Sequence, residues 1–199
     1  MTDSKPPDRS DEDAEDVALM RRAGQGDHEA FEELVTRHQH AVVGTVAKML
    51  GNASEAEDIA QQVFVRLWKS APRYKPTAKF TTFLFTITRN LVFNEARRRQ
   101  RKKEHSLDEQ EDEWHRQVPE SEQGQPDAQL LQSEMRAAVD QAIQSLPEKQ
   151  RLAVVLRRYE QMPYEEIAKV LDLSVSAVKS QLFRARTALR ESLERFLSE

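Results

Sequence analysis

Cysteine is absent from the 199 residues, which excludes disulfides, thiolate metal sites and a cysteine nucleophile. No apolar run is long enough to cross a bilayer and no secretory leader is present, so a cytoplasmic protein without membrane insertion is expected. Glycine is scarce, at five residues, and no Gly-rich phosphate loop occurs. A carboxylate pair with metal geometry and a nucleophile beside a base are missing too, so no enzyme, cofactor or metal is expected. An excess of base is also lacking: Lys+Arg 30 against Asp+Glu 34 leaves a net charge of −4. The charges are segregated, however. Acid gathers in residues 1–16 and 104–134 and base elsewhere, so the sum conceals basic surfaces.

What the chain does contain is helical periodicity. Residues 81–103, TTFLFTITRNLVFNEARRRQRKK, read as one helix with two usable faces and a basic end. Phe80, Phe83, Leu84, Ile87 and Leu91 share one side; Phe85, Arg89 and Phe93 project from roughly the opposite side; Arg97, Arg98, Arg99, Arg101, Lys102 and Lys103 follow. Aromatic rings beside guanidinium groups suit unstacked bases, and a dense basic run suits phosphates. The alternative is that Phe85 and Phe93 pack under a neighbouring helix and the cations form a solvated helix end, favoured by the macrodipole.

Upstream, residues 1–15 are acidic and contain proline, and read as a disordered tail, with a first helix near Asp16. Asp27 is a good N-cap for a core helix that stops at Gly51-Asn52, with His38 buried on its apolar face and His40 pointing elsewhere, so that the two do not form a metal pair. Ser54-Glu55-Ala56-Glu57 reads as a capping box opening a helix that ends before Pro72. Its inner arc is Ile59, Val63, Phe64, Leu67 and Trp68; its outer strip is Asp58, Gln61, Gln62, Val65 and Lys69. The loop PRYKPTAK, with Tyr74, Lys75 and Lys79, has a composition that could hold a base rotated out of its stack, or could simply connect two helices.

Residues 104–129 are acidic and without periodicity, and read as a flexible linker carrying an unexpected Trp114. Beyond it, a helix through Leu130, Met135, Val139 and Leu146 precedes a second helix started by Pro147. The stretch YEEIAKVLDLSVSAVKSQLFRARTALR, residues 164–190, then reads as a helix-turn-helix, in which Ala168 permits a close crossing and Ser174 caps the second helix. Ser176, Lys179, Ser180, Phe183, Arg184 and Thr187 face outward, where Phe can meet a thymine methyl and Lys or Arg a guanine edge or phosphate. The fold expected is all-α: a helical bundle over residues 16–103 and a helix-turn-helix unit over residues 130–199, joined by the acidic linker.

Four segments in order, GDHEAFEELVTRH, AEDIAQQVFVRLW, FTTFLFTITRNLVFNEARRR and LPEKQRLAVVLRRYEQMPYEEIAKVLDLSVSAVKSQLFRARTALR, resemble regions 2 and 4 of bacterial RNA polymerase sigma factors of the small extracytoplasmic-function (ECF) group. The chain carries Phe83 where that family usually has Trp, Gln62 where it has Glu, and Asn94 where it often has Asp. The resemblance implies that Asp58, Gln61, Gln62 and Val65 bind the clamp coiled coil of core RNA polymerase, with the polymerase flap as a further contact. It implies that Tyr74, Lys75, Lys79, Phe85, Arg89, Asn90, Phe93, Asn94, Arg97 and Arg98 hold the melted −10 strand, and that Ser176, Lys179, Ser180, Phe183 and Arg184 read the −35 duplex. An anti-sigma factor is an implied partner beside polymerase and promoter DNA. A stand-alone helix-turn-helix regulator is the other reading.

Overall fold

A computed structural model of the chain describes residues 9–106 and 126–194. Among them are eight α-helices and no strand: α1 (Arg9–Gly24), α2 (His28–Leu50), α3 (Ala53–Ser70), α4 (Phe80–Ser106), α5 (Pro126–Ser145), α6 (Glu148–Arg158), α7 (Tyr164–Leu171) and α8 (Val175–Ser192), with a 3-10 turn at Ala71–Arg73 after α3. Residues 1–8, most of the acidic linker and Trp114 lie outside the described residues.

Local chemistry sets most boundaries. The Asp27 side chain accepts from the Ala30 N–H at 3.1 Å and starts α2; Gly51, at φ 70°, ends it in the left-handed region open to glycine. The cap of α3 is Asn52 rather than Ser54: its Oδ1 accepts from the Ser54 N–H at 3.0 Å, and its Nδ2 donates to Glu55 at 3.2 Å. Asp172, at φ 55°, turns the chain between α7 and α8, and Ser174 accepts from the Ala177 N–H at 3.1 Å.

The first helix begins at Arg9, so residues 9–15 are helical and not a disordered tail. Their carboxylates have distant partners. Asp13 accepts from the Phe80 N–H at 2.7 Å and so caps α4, while Glu15 and Asp16 reach Arg37 at 2.9 and 3.5 Å. Asp16 also meets His38 at 2.8 Å, the hydrogen bond expected of that histidine, which is half-buried rather than fully enclosed.

The two helical units share one apolar cluster, which runs from Leu19 and Met20 through Leu34, Val46, Leu67 and Leu84 to Leu156, Ile167 and Val178. Helix α4 packs against α3 and α7, and α2 packs against α6. Polar contacts reinforce the seam. Gln144 donates to the Lys48 carbonyl and Arg151 to the Met49 carbonyl at 2.6 Å; Lys48 lies 4.3 Å from the Tyr159 ring centre; Thr45 donates to Glu160 at 3.2 Å. Burial pushes the Glu160 carboxyl above its ordinary pKa, against weaker opposition from the Thr45 hydrogen bond and His38.

Two glycines make a matched test. A Cβ on Gly24 would stand 2.6 Å from the Ala71 carbonyl oxygen, a backbone atom, whereas one on Gly44 meets nothing within 4 Å. Gly24→Ala should cost about 1–3 kcal/mol, lowering Tm by roughly 2–4 °C per kcal/mol in a chain of this size; Gly44→Ala, in the interior of α2, should stabilise by about 0.5–1 kcal/mol. Thermal denaturation followed by circular dichroism reads both.

A second outcome concerns pH. Because the packed state favours neutral Glu160, its contribution is fully present below the ordinary carboxylate range and is lost as pH rises toward the raised pKa. Glu160→Gln should remove that slope from a plot of Tm against pH.

Candidate nucleic-acid interface

Helix α3 buries Ile59, Val63, Phe64 and Leu67 and leaves Asp58, Gln61, Gln62 and Val65 exposed. Their i, i+3, i+4, i+7 spacing puts all four on one strip. Val65 is 51% exposed, an aliphatic side chain set among polar ones.

Past α3 the chain forms an open pocket of about 400 Å³ lined by Arg66, Lys69, Ser70, Arg73, Tyr74, Lys75 and Phe83. The Tyr74 and Phe83 rings stand 5.1 Å apart, tilted by 51°. The Tyr74 hydroxyl is buried with no hydrogen-bond partner among the described residues, and burial raises its pKa, so it stays a proton donor. Two aromatic rings inside a ring of cations offer a face for a base and charge for its phosphates. Phe83, placed by periodicity on the side of Phe80 and Leu84, packs against the core and also forms a wall of this pocket; Lys69, read as part of the outer α3 strip, faces it too, and Arg66 and Arg73 were not singled out. The spacing of these three cations, i, i+3 and i+7 on the face that continues into the 3-10 turn, was the available signal.

Along α4, Arg89, Asn90, Phe93, Asn94 and Arg97 line a second pocket of about 490 Å³ together with Arg66. Its far side is supplied by Lys149, Leu171 and Asp172 from the helix-turn-helix unit. Phe85 is not among them: at 3% exposure it is buried where α4 is covered by its neighbours, the packing alternative considered for it. Arg89 donates twice to Asn90, at 3.1 and 2.6 Å. Arg98 forks onto Glu95 with two bonds of 2.8 Å, and this holds the Glu95 carboxyl below its ordinary pKa. Arg99 is drawn inward, bonding the Leu50 carbonyl at 2.9 Å and pairing with Glu55. The basic end of α4 is therefore partly structural. Lys75 and Lys79 are exposed at the entrance to α4, and Lys79 pairs with Glu166 at 2.7 Å.

In α8, Val178 and Ala185 are buried while Ser176, Lys179, Ser180, Phe183 and Arg184 are exposed. Phe183 is 69% exposed, a large apolar ring placed between cations. Behind this helix lies a groove of about 740 Å³ between α5, α6 and α8, with Val139, Ile143, Leu182 and Leu189 inside and Arg157, Arg158 and Arg186 at its edge.

An all-helical chain with a helix-turn-helix, cationic aromatic pockets on a second helical unit and an exposed mixed strip defines a protein built to meet nucleic acid at two places. The description "Sigma-70 region 2" matches residues 34–102 and "Sigma-70, region 4" matches residues 136–189. RNA polymerase sigma-H factor of Pseudomonas aeruginosa is 34% identical over 189 residues, covering 93% of this chain and 97% of that protein. ECF RNA polymerase sigma-E factor of Escherichia coli is 31% identical over 183 residues, covering 90% and 94%. Among solved structures, CnrH in complex with the cytosolic domain of CnrY is 26% identical with a TM-score of 0.68, covering 91% of this chain and 98% of that one. The chain belongs to the sigma-70 family of RNA polymerase sigma factors, in its extracytoplasmic-function group.

Phe183 separates a role in binding from one in stability. Phe183→Ser should leave the unfolding midpoint within about 0.5 kcal/mol of the parent, as an exposed site away from packing does, yet weaken binding to cognate duplex, by up to about 3 kcal/mol where the ring is fully buried against a thymine methyl. Parallel melts and duplex-binding titrations test this.

Proposed function

We propose that the chain is a transcription initiation factor that binds core bacterial RNA polymerase in the cytoplasm and directs it to promoters through two DNA elements. The observation that carries this reading is the match to both sigma regions along one chain whose exposed cationic and aromatic residues fall in each. The α3 strip of Asp58, Gln61, Gln62 and Val65 docks on the clamp coiled coil, and the groove behind α8 accepts the flap. Tyr74, Lys75 and Lys79, joined by Phe83, Arg66, Lys69 and Arg73, hold an unpaired base of the −10 strand, while Arg89, Asn90, Phe93, Asn94, Arg97 and Arg98 guide its backbone. Lys179, Phe183 and Arg184, with Ser176 and Ser180, read the −35 duplex in the major groove. Polymerase supplies the chemistry; the factor supplies recognition and no catalysis of its own.

Phosphate contacts position each unit and make binding fall with salt, and tethering two weak readers lets them act together. An anti-sigma protein covering these surfaces when the factor is silent belongs to the same reading; CnrH, similar in fold and at 26% identity, was solved in complex with the cytosolic domain of CnrY. A stand-alone regulator is the less favoured alternative, since it would not need the α3 strip.

Transcription with core polymerase and a genomic promoter library tests the proposal. Specific starts should appear only with the intact chain, share two separated elements, and fall by at least about tenfold with a Lys179→Ala/Arg184→Ala double variant, each base contact being worth roughly 1–3 kcal/mol. Specific duplex binding by the protein alone, without stimulation of polymerase, would replace this reading with that of a conventional regulator.

A further inference from the structure

Glu166 is a carboxylate in an unusual position. It lies in the first turn of α7, inside the helix-turn-helix unit, yet is only 9% exposed and is the buried charged residue of that helix. Its neighbour Glu165 is exposed. A carboxylate taken from water needs a compensating charge, and Lys79 supplies it at 2.7 Å from the other helical unit. Lys79 keeps 43% of its side chain exposed while it holds that pair.

We propose that Glu166 occupies the place of a DNA phosphate on Lys79 and thereby latches the helix-turn-helix unit over the −10 surface in the free chain. This rests on the reading of Lys79 as part of that surface. One ammonium cannot serve the buried carboxylate and a strand phosphate at full strength together. The same docking puts Leu171, Asp172 and Lys149 into the wall of the pocket formed by Arg89, Asn90, Phe93, Asn94 and Arg97. A strand that follows α4 must therefore displace α7, and displacing α7 breaks the Lys79–Glu166 pair. Binding of single strands is weakened by the fraction of molecules that are closed. A sigma factor built this way holds back from stray single-stranded nucleic acid until another partner separates its two units.

The test is fluorescence anisotropy of the full chain with a labelled single-stranded DNA of mixed sequence. Glu166→Gln keeps the side-chain shape and removes the charge, and should bind roughly two- to fivefold tighter than the parent, the range set by one partly exposed ion pair. Glu165→Gln makes the same change in net charge without touching Lys79 and should bind like the parent. In a Lys79→Gln background, Glu166→Gln should bring no further gain. Equal affinity of Glu166→Gln and the parent, including undetectable binding by both, would overturn the latch, as would a gain matched by Glu165→Gln or kept in the Lys79→Gln background. Promoter-specific transcription by the parent with polymerase reports separately on the sigma reading: its presence beside an unchanged Glu166→Gln affinity removes the latch alone, and its absence removes the reading on which the latch rests.

Discussion

The carboxyl end of α2 is the point on which the arrangement depends. A helix leaves its last carbonyls without intrahelical partners, and here three successive ones are satisfied by side chains from three other helices. Gln144 of α5 donates to Lys48, Arg151 of α6 to Met49 at 2.6 Å, and Arg99 of α4 to Leu50 at 2.9 Å. Two of the donors are guanidinium groups, so the negative end of the α2 dipole meets positive charge as well as hydrogen bonds. Gly51 makes room: a Cβ there would stand 3.0 Å from Gln144 Oε1, and its φ of 70° disfavours any side chain. One helix end thus ties the first helical unit to itself through Arg99 and to the second through Gln144 and Arg151.

This joint sets which of the proposed recognition surfaces are open. The α3 strip and the outer face of α8 stay exposed, as does the pocket between Tyr74 and Phe83. The α4 pocket instead takes part of its wall from the helix-turn-helix unit. Charge works in the same sense. The chain is acidic overall, but several of its carboxylates are already committed to cations or backbone amides: Asp13 to α4, Glu95 to Arg98, Glu166 to Lys79. The net charge of −4 consequently says little about the field at the cationic pockets.

Much of this was legible in the sequence because local rules governed it. Asp27, Gly51, Pro147 and Ser174 mark helix ends whatever surrounds them, and the turn at Asp172 followed from the pattern on either side. The outer strip of α3 and the outward face of α8 follow from periodicity in helices buried on one side. Helix α4 defeated the same reasoning because it is covered on more than one side. Its apolar residues form two arcs, and periodicity cannot tell that both meet protein; Phe85 went inward, while Phe83 packs against the core and still lines the pocket. Residues 9–15 were misjudged for a related reason: their carboxylates look like a solvated run until Phe80 and Arg37, far along the chain, are brought beside them. The shared core, and with it the seam between the units, depends on such long-range pairing throughout.

The central claim is that the two units are packed together in the free chain and must part to meet two DNA elements. Since the chain has no cysteine, dyes can be placed on Glu32→Cys and Ser192→Cys, both exposed positions, one on each unit. Single-molecule energy transfer should then give one narrow short-distance population for the free protein and a longer distance once core polymerase and promoter DNA are added. A broad, long-distance distribution in the free protein, unchanged by polymerase, would contradict the account.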